Sequence, residues 1–392
     1  MMIRTQFKEL SLPLLGFGTM RLPCTAGGTP ADIDREKTAQ MVDYAMQHGV
    51  NYFDTAYPYH ASRSETVIGE LLQKYPRDSY FLADKFPGHQ IQTSYDPAGV
   101  FEKQLKKCGV DYFDFYLLHN VCENSLPTYN DPRWSIIPYF IEQRRAGRIR
   151  HLGFSSHAQL DTLRGFLDRW GSEMEFCQIQ LNYLDWTLQD ARGKYELLTE
   201  RSIPVWVMEP LRGGKLCGDP AASLVKEDFP DEEPAELAFR FLQSLPNVQM
   251  ILSGMSEPQQ MEQNIGWFAQ RRALDEDGRQ KLLAIAEKLK NSVPCTGCRY
   301  CTEGCPMGLD IPALLAVYND MRFQHAALVN MYIEALPEDK RPSACIGCGA
   351  CAAICPQSID IPAALADLAA HVSSTKSWAE ISRERAEEAE RA

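Results

Sequence analysis

No apolar run in this chain approaches the ~18 residues that span a bilayer, and the opening Met-Met-Ile-Arg-Thr-Gln-Phe-Lys lacks the apolar core of a secretory leader. These absences predict a soluble cytoplasmic protein with no membrane contact, in a compartment where disulfides do not persist. Basic residues are in deficit. Forty Lys and Arg stand against 52 Asp and Glu, a formal net charge of −12, which argues against a nucleic-acid or anionic-lipid surface. A complete G-x-G-x-x-G turn is also missing where a dinucleotide crevice needs one. Gly16-Phe-Gly18, after the first apolar run, continues Thr-Met-Arg, so a doubly wound sheet is the weaker reading. Nothing is lacking for a large core, because 45% of the 392 residues are hydrophobic and 23% charged.

Cysteine, by contrast, is abundant and ordered. Of 13 cysteines, 8 fall in two runs, Cys295-Thr-Gly-Cys298-Arg-Tyr-Cys301-Thr-Glu-Gly-Cys305-Pro306 and Cys345-Ile-Gly-Cys348-Gly-Ala-Cys351-Ala-Ala-Ile-Cys355-Pro356. Both have the C-x2-C-x2-C-x3-C-P spacing that holds 4Fe-4S clusters. In a two-cluster arrangement three closely set thiolates wrap one cube, and the fourth, before the proline, reaches the other. The spacing therefore assigns Cys295, Cys298, Cys301 and Cys355 to one cluster, and Cys345, Cys348, Cys351 and Cys305 to the second. Zinc knuckles use paired cysteines and tetrahedral closure, a different pattern. Cys24, Cys108, Cys122, Cys177 and Cys217 are scattered and read as small buried hydrophobes.

Up to about residue 270, short apolar runs alternate with amphipathic stretches. The runs are Leu14 to Met20, Asn51 to Asp54, Tyr80 to Phe86, Asp114 to His119, His151 to Ser155, Glu175 to Asn182, Pro204 to Glu209 and Val248 to Ser253. Their length and continuity suit strands buried on both faces of a parallel sheet. Helical candidates such as 34–48, 64–75, 96–108, 134–146 and 234–244 lie between them, which predicts an α/β fold, a (β/α)8 TIM barrel, over 1–274. Residues 275–291 read as one linker helix with acids first and bases last. A mainly helical, ferredoxin-like two-cluster domain is expected over 292–370. It is an internal repeat with a 50-residue period, since Asp310-Ile-Pro-Ala recurs as Asp360-Ile-Pro-Ala. The charged tail 371–392 reads as a solvated helix or frayed end.

Polar residues stand at the ends of three consecutive predicted strands: Asp54 and, five residues on, Tyr59; Lys85; and His119. The strand C-termini form the catalytic face of such a barrel, so these side chains can converge. Singly, each has a plain structural explanation as a turn cap, loop packing, a snorkelling base or a core histidine. Together they fit carbonyl reduction, where negative charge grows on oxygen and calls for a general acid and fixed donors.

The chain here resembles the aldo-keto reductases over roughly residues 3 to 268. The carriers are Asn51-Tyr-Phe-Asp-Thr-Ala-Tyr-Pro-Tyr-His60, Leu82-Ala-Asp-Lys-Phe86, Asp114-Phe-Tyr-Leu-Leu-His119, Ile149-Arg-His-Leu-Gly-Phe-Ser155 and Ile251-Leu-Ser-Gly254 through Asn264. The resemblance implies an Asp54, Tyr59, Lys85 and His119 tetrad, with Tyr59 the acid, Lys85 easing its ionisation and His119 orienting the carbonyl. It implies nicotinamide contacts at Ser155, Ser156 and Gln178, pyrophosphate contacts at Leu211, Gly213, Gly214 and Lys215, and adenosine contacts at Gly254 and Asn264. Three positions depart from the family: Ser156 where Asn is common, Met208 where an aromatic often stacks, and Gln260 where Arg often meets a 2′-phosphate. No Lys or Arg lies between Ser253 and Asn264, so NAD(H), NADP(H) and a flavin all stay open as cofactors beside the two 4Fe-4S clusters.

The whole chain resembles a ferredoxin-tailed branch of that family. The leading expectation is an oxidoreductase that interconverts a small carbonyl and an alcohol, its clusters exchanging electrons with a ferredoxin-type redox partner. The alternatives are an ordinary NAD(P)H-dependent reductase with structural or oxygen-sensing clusters, and a non-enzymatic electron-transfer subunit. The loop Asn120 to Ser135, with Tyr129 and Trp134, is a candidate pocket wall. Chain geometry adds that helix 275–291 is long enough to climb from the N-terminal to the catalytic end of the barrel, so the cluster domain is expected to roof the site.

Overall fold

A hairpin that no periodicity announces, β1 (Arg4–Phe7) and β2 (Leu10–Pro13), precedes the barrel. The eight apolar runs then appear as β3 (Leu15–Gly18), β4 (Tyr52–Asp54), β5 (Phe81–Phe86), β6 (Phe113–Val121), β7 (Ile149–Ser156), β8 (Cys177–Gln180), β9 (Val205–Met208) and β10 (Val248–Gly254). They close a parallel barrel in the order β10-β3-β4-β5-β6-β7-β8-β9. The computed structural model describes residues 2–90, 92–289, 293, 295, 297–321, 326–355 and 357–391.

Large side chains fill the barrel, which is why both faces of its strands had to be apolar. Tyr52, Phe115, Phe176, Trp206 and Met250 pack together, and Phe7 and Leu12 of the hairpin join them as a plug. The filling leaves no space at Gly16, where a Cβ would lie 2.7 Å from Leu252 Cδ2 and 2.9 Å from the Met250 sulfur. Near the start of β6, the buried Asp114 carboxylate accepts from Arg77 at 2.7 Å, from the Leu82 amide at 3.0 Å and from Arg150 at 3.3 Å. Asp114→Ala is expected to cost about 3 kcal/mol in chemical denaturation, the low end for a broken buried pair because both arginines keep contact with solvent.

Beyond the barrel, helix Glu276–Leu289 makes the expected climb. Just before it, the Leu274 amide donates to Arg240, and near its end Glu287 accepts from Thr187, past the C-terminal end of β8, at 2.9 Å. The repeat that follows is structural as well as sequential. Asp310 and Asp360 both cap helices, Ile311–Asp320 and Ile361–Ser373, which pack through Leu314, Leu315, Leu365 and Leu368. Left-handed backbone recurs at matching positions: Gly297 and Gly347, Arg299 and Gly349, Gly308 and Ser358. One copy thus uses glycine where the other strains an arginine or a serine.

The tail departs from the expectation of a solvated or frayed end. Helix Trp378–Arg391 lies against the rest of the chain, with Trp378, Ser382 and Ala389 buried. Its charged composition hides an inward stripe too sparse for the pattern to reveal. With helices Ile311–Asp320 and Ala326–Glu334 it roofs the C-terminal end of the barrel. Asp320 reaches Arg212, the Met331 carbonyl accepts from Asn124 at 2.7 Å, the Tyr332 hydroxyl donates to the His157 carbonyl at 2.8 Å, and Trp378 Nε1 donates to the His89 carbonyl at 3.2 Å. All four barrel partners follow strand C-termini, so the roof stands where chain geometry placed it. No helix among the described residues is long and apolar enough to cross a membrane.

Candidate active site and cluster sites

The tetrad positions converge. Neighbouring strands β4 and β5 present Asp54 and Lys85, and the wholly buried Lys85 ammonium donates to Asp54 Oδ1 at 2.6 Å and to the Thr55 carbonyl at 2.7 Å. It lies 5.0 Å from the centre of the Tyr59 ring, and His119, near the end of β6, meets that ring edge-on at 6.0 Å. Burial works against the lysine's charge, but Asp54 and Tyr59 outweigh it and hold Lys85 above the ordinary lysine value. At Tyr59 two effects oppose each other. Burial pushes the phenol up by more than Lys85 pulls it down, so the neighbouring ammonium does not produce a low tyrosine pKa, and Tyr59 stands as a protonated donor.

Histidines surround the mouth in neutral form. Burial first, then the charges of Lys85 and Arg385 and the neighbouring His89 and His157, press His119 well below the usual histidine range. His89, its ring 4.3 Å from that of His119, is pushed down to about 3 by burial and by Arg385, and His157 to about 4 by burial and Lys194. Nδ1 of all three is buried without a hydrogen-bond partner among the described residues. A His119 that stays neutral predicts kcat/KM for carbonyl reduction flat between pH 8 and pH 6, with no acid limb at the ordinary histidine pKa of ~6.5. Initial rates across that range check it. The candidate loop divides. Tyr129 is buried and its hydroxyl donates to the His119 carbonyl at 2.8 Å, whereas Trp134 packs on Tyr95.

The positions proposed for nicotinamide fare unevenly. Gln178 is buried with Oε1 unpaired, and Ser155 accepts from the Asn120 amide at 2.8 Å, which leaves its own proton to give. Ser156 instead donates to the Val121 carbonyl at 2.8 Å, and Asn264 to Ser253 Oγ at 3.0 Å. Their side-chain protons hold the scaffold. Leu211, Gly213, Gly214 and Lys215 form a tight exposed turn, with φ of 65° at Gly213 and 91° at Gly214. Gln260 accepts from the Ser256 and Glu257 amides and completes a capping box. Glu257 pairs with Lys37 at 3.3 Å. The exposed Gly254 abuts the stem of Arg21, a cation that the Ser253 to Asn264 window could not reveal.

A second network escaped the sequence because its members are far apart in the chain. Arg212, between the candidate turn residues, is buried and forks onto both oxygens of Asp185 and onto Asp320 Oδ1 at 2.7 Å. Asp320 belongs to the roof and also accepts from Gln189 at 2.7 Å. Burial lifts its carboxyl to about 6 against the pull of Arg212. The turn beside the barrel mouth is thereby tied to the cluster domain.

The cysteine runs line two partly open cavities. One is lined by Cys305, Cys345, Cys348 and Cys351, the other by Cys295, Cys298, Cys301 and Cys355. Leu309, Ile311 and Leu365 wall the first, and Leu315, Ile359 and Ile361 the second. In each case the thiols ring a space instead of meeting at a point, and among the described residues no three His, Cys, Asp or Glu converge at single-ion distances. Four sulfurs around an apolar hole suit a cube of irons and not a tetrahedral zinc.

Comparison with known proteins agrees with both halves. Residues 294–359 match the 4Fe-4S dicluster domain, and residues 14–285 the Aldo/keto reductase family. The NADH-specific methylglyoxal reductase of Escherichia coli is 27% identical over 230 residues, which cover 54% of this chain and 67% of that protein. An uncharacterized oxidoreductase of Bacillus subtilis is 24% identical over 302 residues, 69% of this chain and 93% of the other. Among solved structures, an aldo-keto reductase of Bacillus halodurans in its holo form superposes with a TM-score of 0.60 at 25% identity, over 73% of this chain and 96% of that one. With a match that takes in all eight barrel strands and runs into helix Glu276–Leu289, the chain belongs to the aldo/keto reductase family, and a 4Fe-4S dicluster domain follows its barrel.

Proposed function

We propose that the barrel mouth interconverts a small carbonyl and the corresponding alcohol, with Tyr59 as proton donor. The observation that carries this reading is the buried Lys85–Asp54 pair against Tyr59, with a neutral His119 edge-on to the same ring. Tyr59 gives its proton to the carbonyl oxygen as that atom gains charge, and Lys85 stabilises the phenolate left behind. Neutral His119 donates a hydrogen bond that orients the carbonyl, and Asp54 fixes the ammonium. A nicotinamide, when bound, supplies the hydride. Of the three expected carboxamide contacts, Gln178 and Ser155 keep polar capacity to hold it.

NADH is the better fit at the adenosine end. Gln260 is occupied as a cap and Lys37 is already paired with Glu257, so neither is free to take a 2′-phosphate. KM for NADPH is expected to exceed that for NADH by about tenfold, roughly 1.4 kcal/mol of discrimination. Steady-state kinetics with both nucleotides check this, and a preference for NADPH would mean that Arg21 takes the phosphate. The relative named as NADH-specific leans the same way.

We assign two 4Fe-4S clusters to the cysteine-lined cavities, passing single electrons to or from a ferredoxin-type partner. A second reading draws on the roof contacts of Asp320, Met331 and Trp378: the clusters fold the lid of an otherwise ordinary reductase. One experiment addresses both. Anaerobically purified protein is assayed for carbonyl-dependent NADH oxidation while cluster oxidation state is followed by electron paramagnetic resonance. Turnover with a change in cluster signal supports electron exchange, and turnover without it supports the lid. No carbonyl-dependent oxidation of either nicotinamide would overturn the reductase assignment.

A further inference from the structure

Helix Trp378–Arg391 carries a cation into the barrel mouth. The Arg385 guanidinium lies 5.4 Å from the centre of the Trp378 ring. Trp378 itself is fixed, since its indole donates to the His89 carbonyl at 3.2 Å and its amide to Glu334 at 2.9 Å. Its ring is 5.8 Å from that of His89, which is 4.3 Å from that of His119. Farther along the helix, Lys103 donates to the Ala389 carbonyl at 2.8 Å, so the helix is pinned at both ends. Arg385 is partly enclosed, and its charge bears on Tyr59, His89 and His119.

What Arg385 lacks is a counter-charge. Among the described residues no carboxylate lies within ion-pair distance of it; Glu388, one turn on, exerts only a longer-range pull. The groups around it are neutral histidines and a neutral phenol. An enclosed guanidinium without a partner is costly, and its planar fork matches a carboxylate. In a chain of net charge −12, one uncompensated cation beside the reacting groups is a selective feature.

We propose that Arg385 binds the carboxylate of the substrate, so that the enzyme acts on short oxo acids and the matching hydroxy acids in preference to neutral carbonyls. This deepens the carbonyl reductase reading and rests on it. In the reduction, the carbonyl π bond is lost as carbon accepts hydride from NADH and oxygen accepts the proton of Tyr59. The products are a hydroxy acid and NAD, and Tyr59 regains its proton from solvent. The carboxylate keeps its charge throughout and serves as the handle that sets the carbonyl between Tyr59 and His119.

The test compares 2-oxobutanoate with its amide on the holoenzyme, and measures binding of oxamate by calorimetry. The acid is expected to exceed the amide in kcat/KM by at least about 30-fold, and Arg385→Leu to lower that ratio by about as much and to weaken oxamate proportionately, with Arg385→Lys in between. A ratio unchanged in Arg385→Leu, or a wild-type preference for the amide, overturns the proposal. If neither compound is reduced yet oxamate binds and Arg385→Leu abolishes its binding, the carboxylate site stands and the reductase reading falls.

Discussion

Tyr59→Phe is expected to lower kcat for carbonyl reduction by about 10² to 10⁴-fold, the range for loss of a positioned general acid, with NADH affinity within about twofold of the wild type. Only the phenolic oxygen is removed, and the ring keeps its packing beside Lys85 and His119. The phenol serves charge that develops in the transition state, so the loss belongs in kcat and not in cofactor binding. Steady-state rates and a fluorescence titration with NADH separate the two. Lys85 is the less informative target, because its removal leaves Asp54 buried without its partner, at a stability cost of about 3 to 5 kcal/mol. An unfolded Lys85 variant and an inactive one would look alike. Undiminished reduction by Tyr59→Phe would falsify the tetrad.

The barrel was legible because its signal is local. A strand buried on both faces is a short continuous apolar run whatever it packs against, and each of the eight runs became a barrel strand. Three cysteines of each run were legible as a group for a related reason, since spacing within a tight loop brings them to one cavity, which the fourth cysteine of the other run completes. Hairpin β1–β2 was missed because four-residue strands that send only Phe7 and Leu12 into the buried cluster of the barrel interior give too little alternation to count. The features that shape the mouth were out of reach for a different reason. Asp320 meets Arg212 across 108 residues, Trp378 meets His89 across 289, and Arg385 enters from a helix whose composition reads as solvent-facing. Such pairings follow from topology and leave no periodic trace. At Tyr59 the pull of Lys85 follows from the sequence pattern, and the burial that outweighs it does not.

Cys305→Ala is expected to remove one cluster and spare the other, with iron falling from about eight to about four per chain. The lost cluster is the one whose remaining ligands are Cys345, Cys348 and Cys351, even though Cys305 sits in the first cysteine run, four residues after Cys301. The reason is geometric. Helix Tyr300–Glu303 turns the chain away after Cys301, and Cys305 faces the cavity walled by Leu309, Ile311 and Leu365 while Cys355 crosses the other way. Cys298→Ala and Cys348→Ala are the reference variants, each expected to abolish the cluster of its own run. Electron paramagnetic resonance of the dithionite-reduced proteins then compares the surviving signal. Under crossed ligation the spectrum of Cys305→Ala overlays that of Cys348→Ala, and the spectrum of Cys355→Ala overlays that of Cys298→Ala. Uncrossed ligation pairs Cys305→Ala with Cys298→Ala, and that result would require the chain between Cys301 and Cys305 to fold back on its own run. Crossed ligation would also tie the two repeats together through both clusters, so that losing either loosens the packing of helix Ile311–Asp320 on Ile361–Ser373 and, through Asp320, the hold of the roof on Arg212.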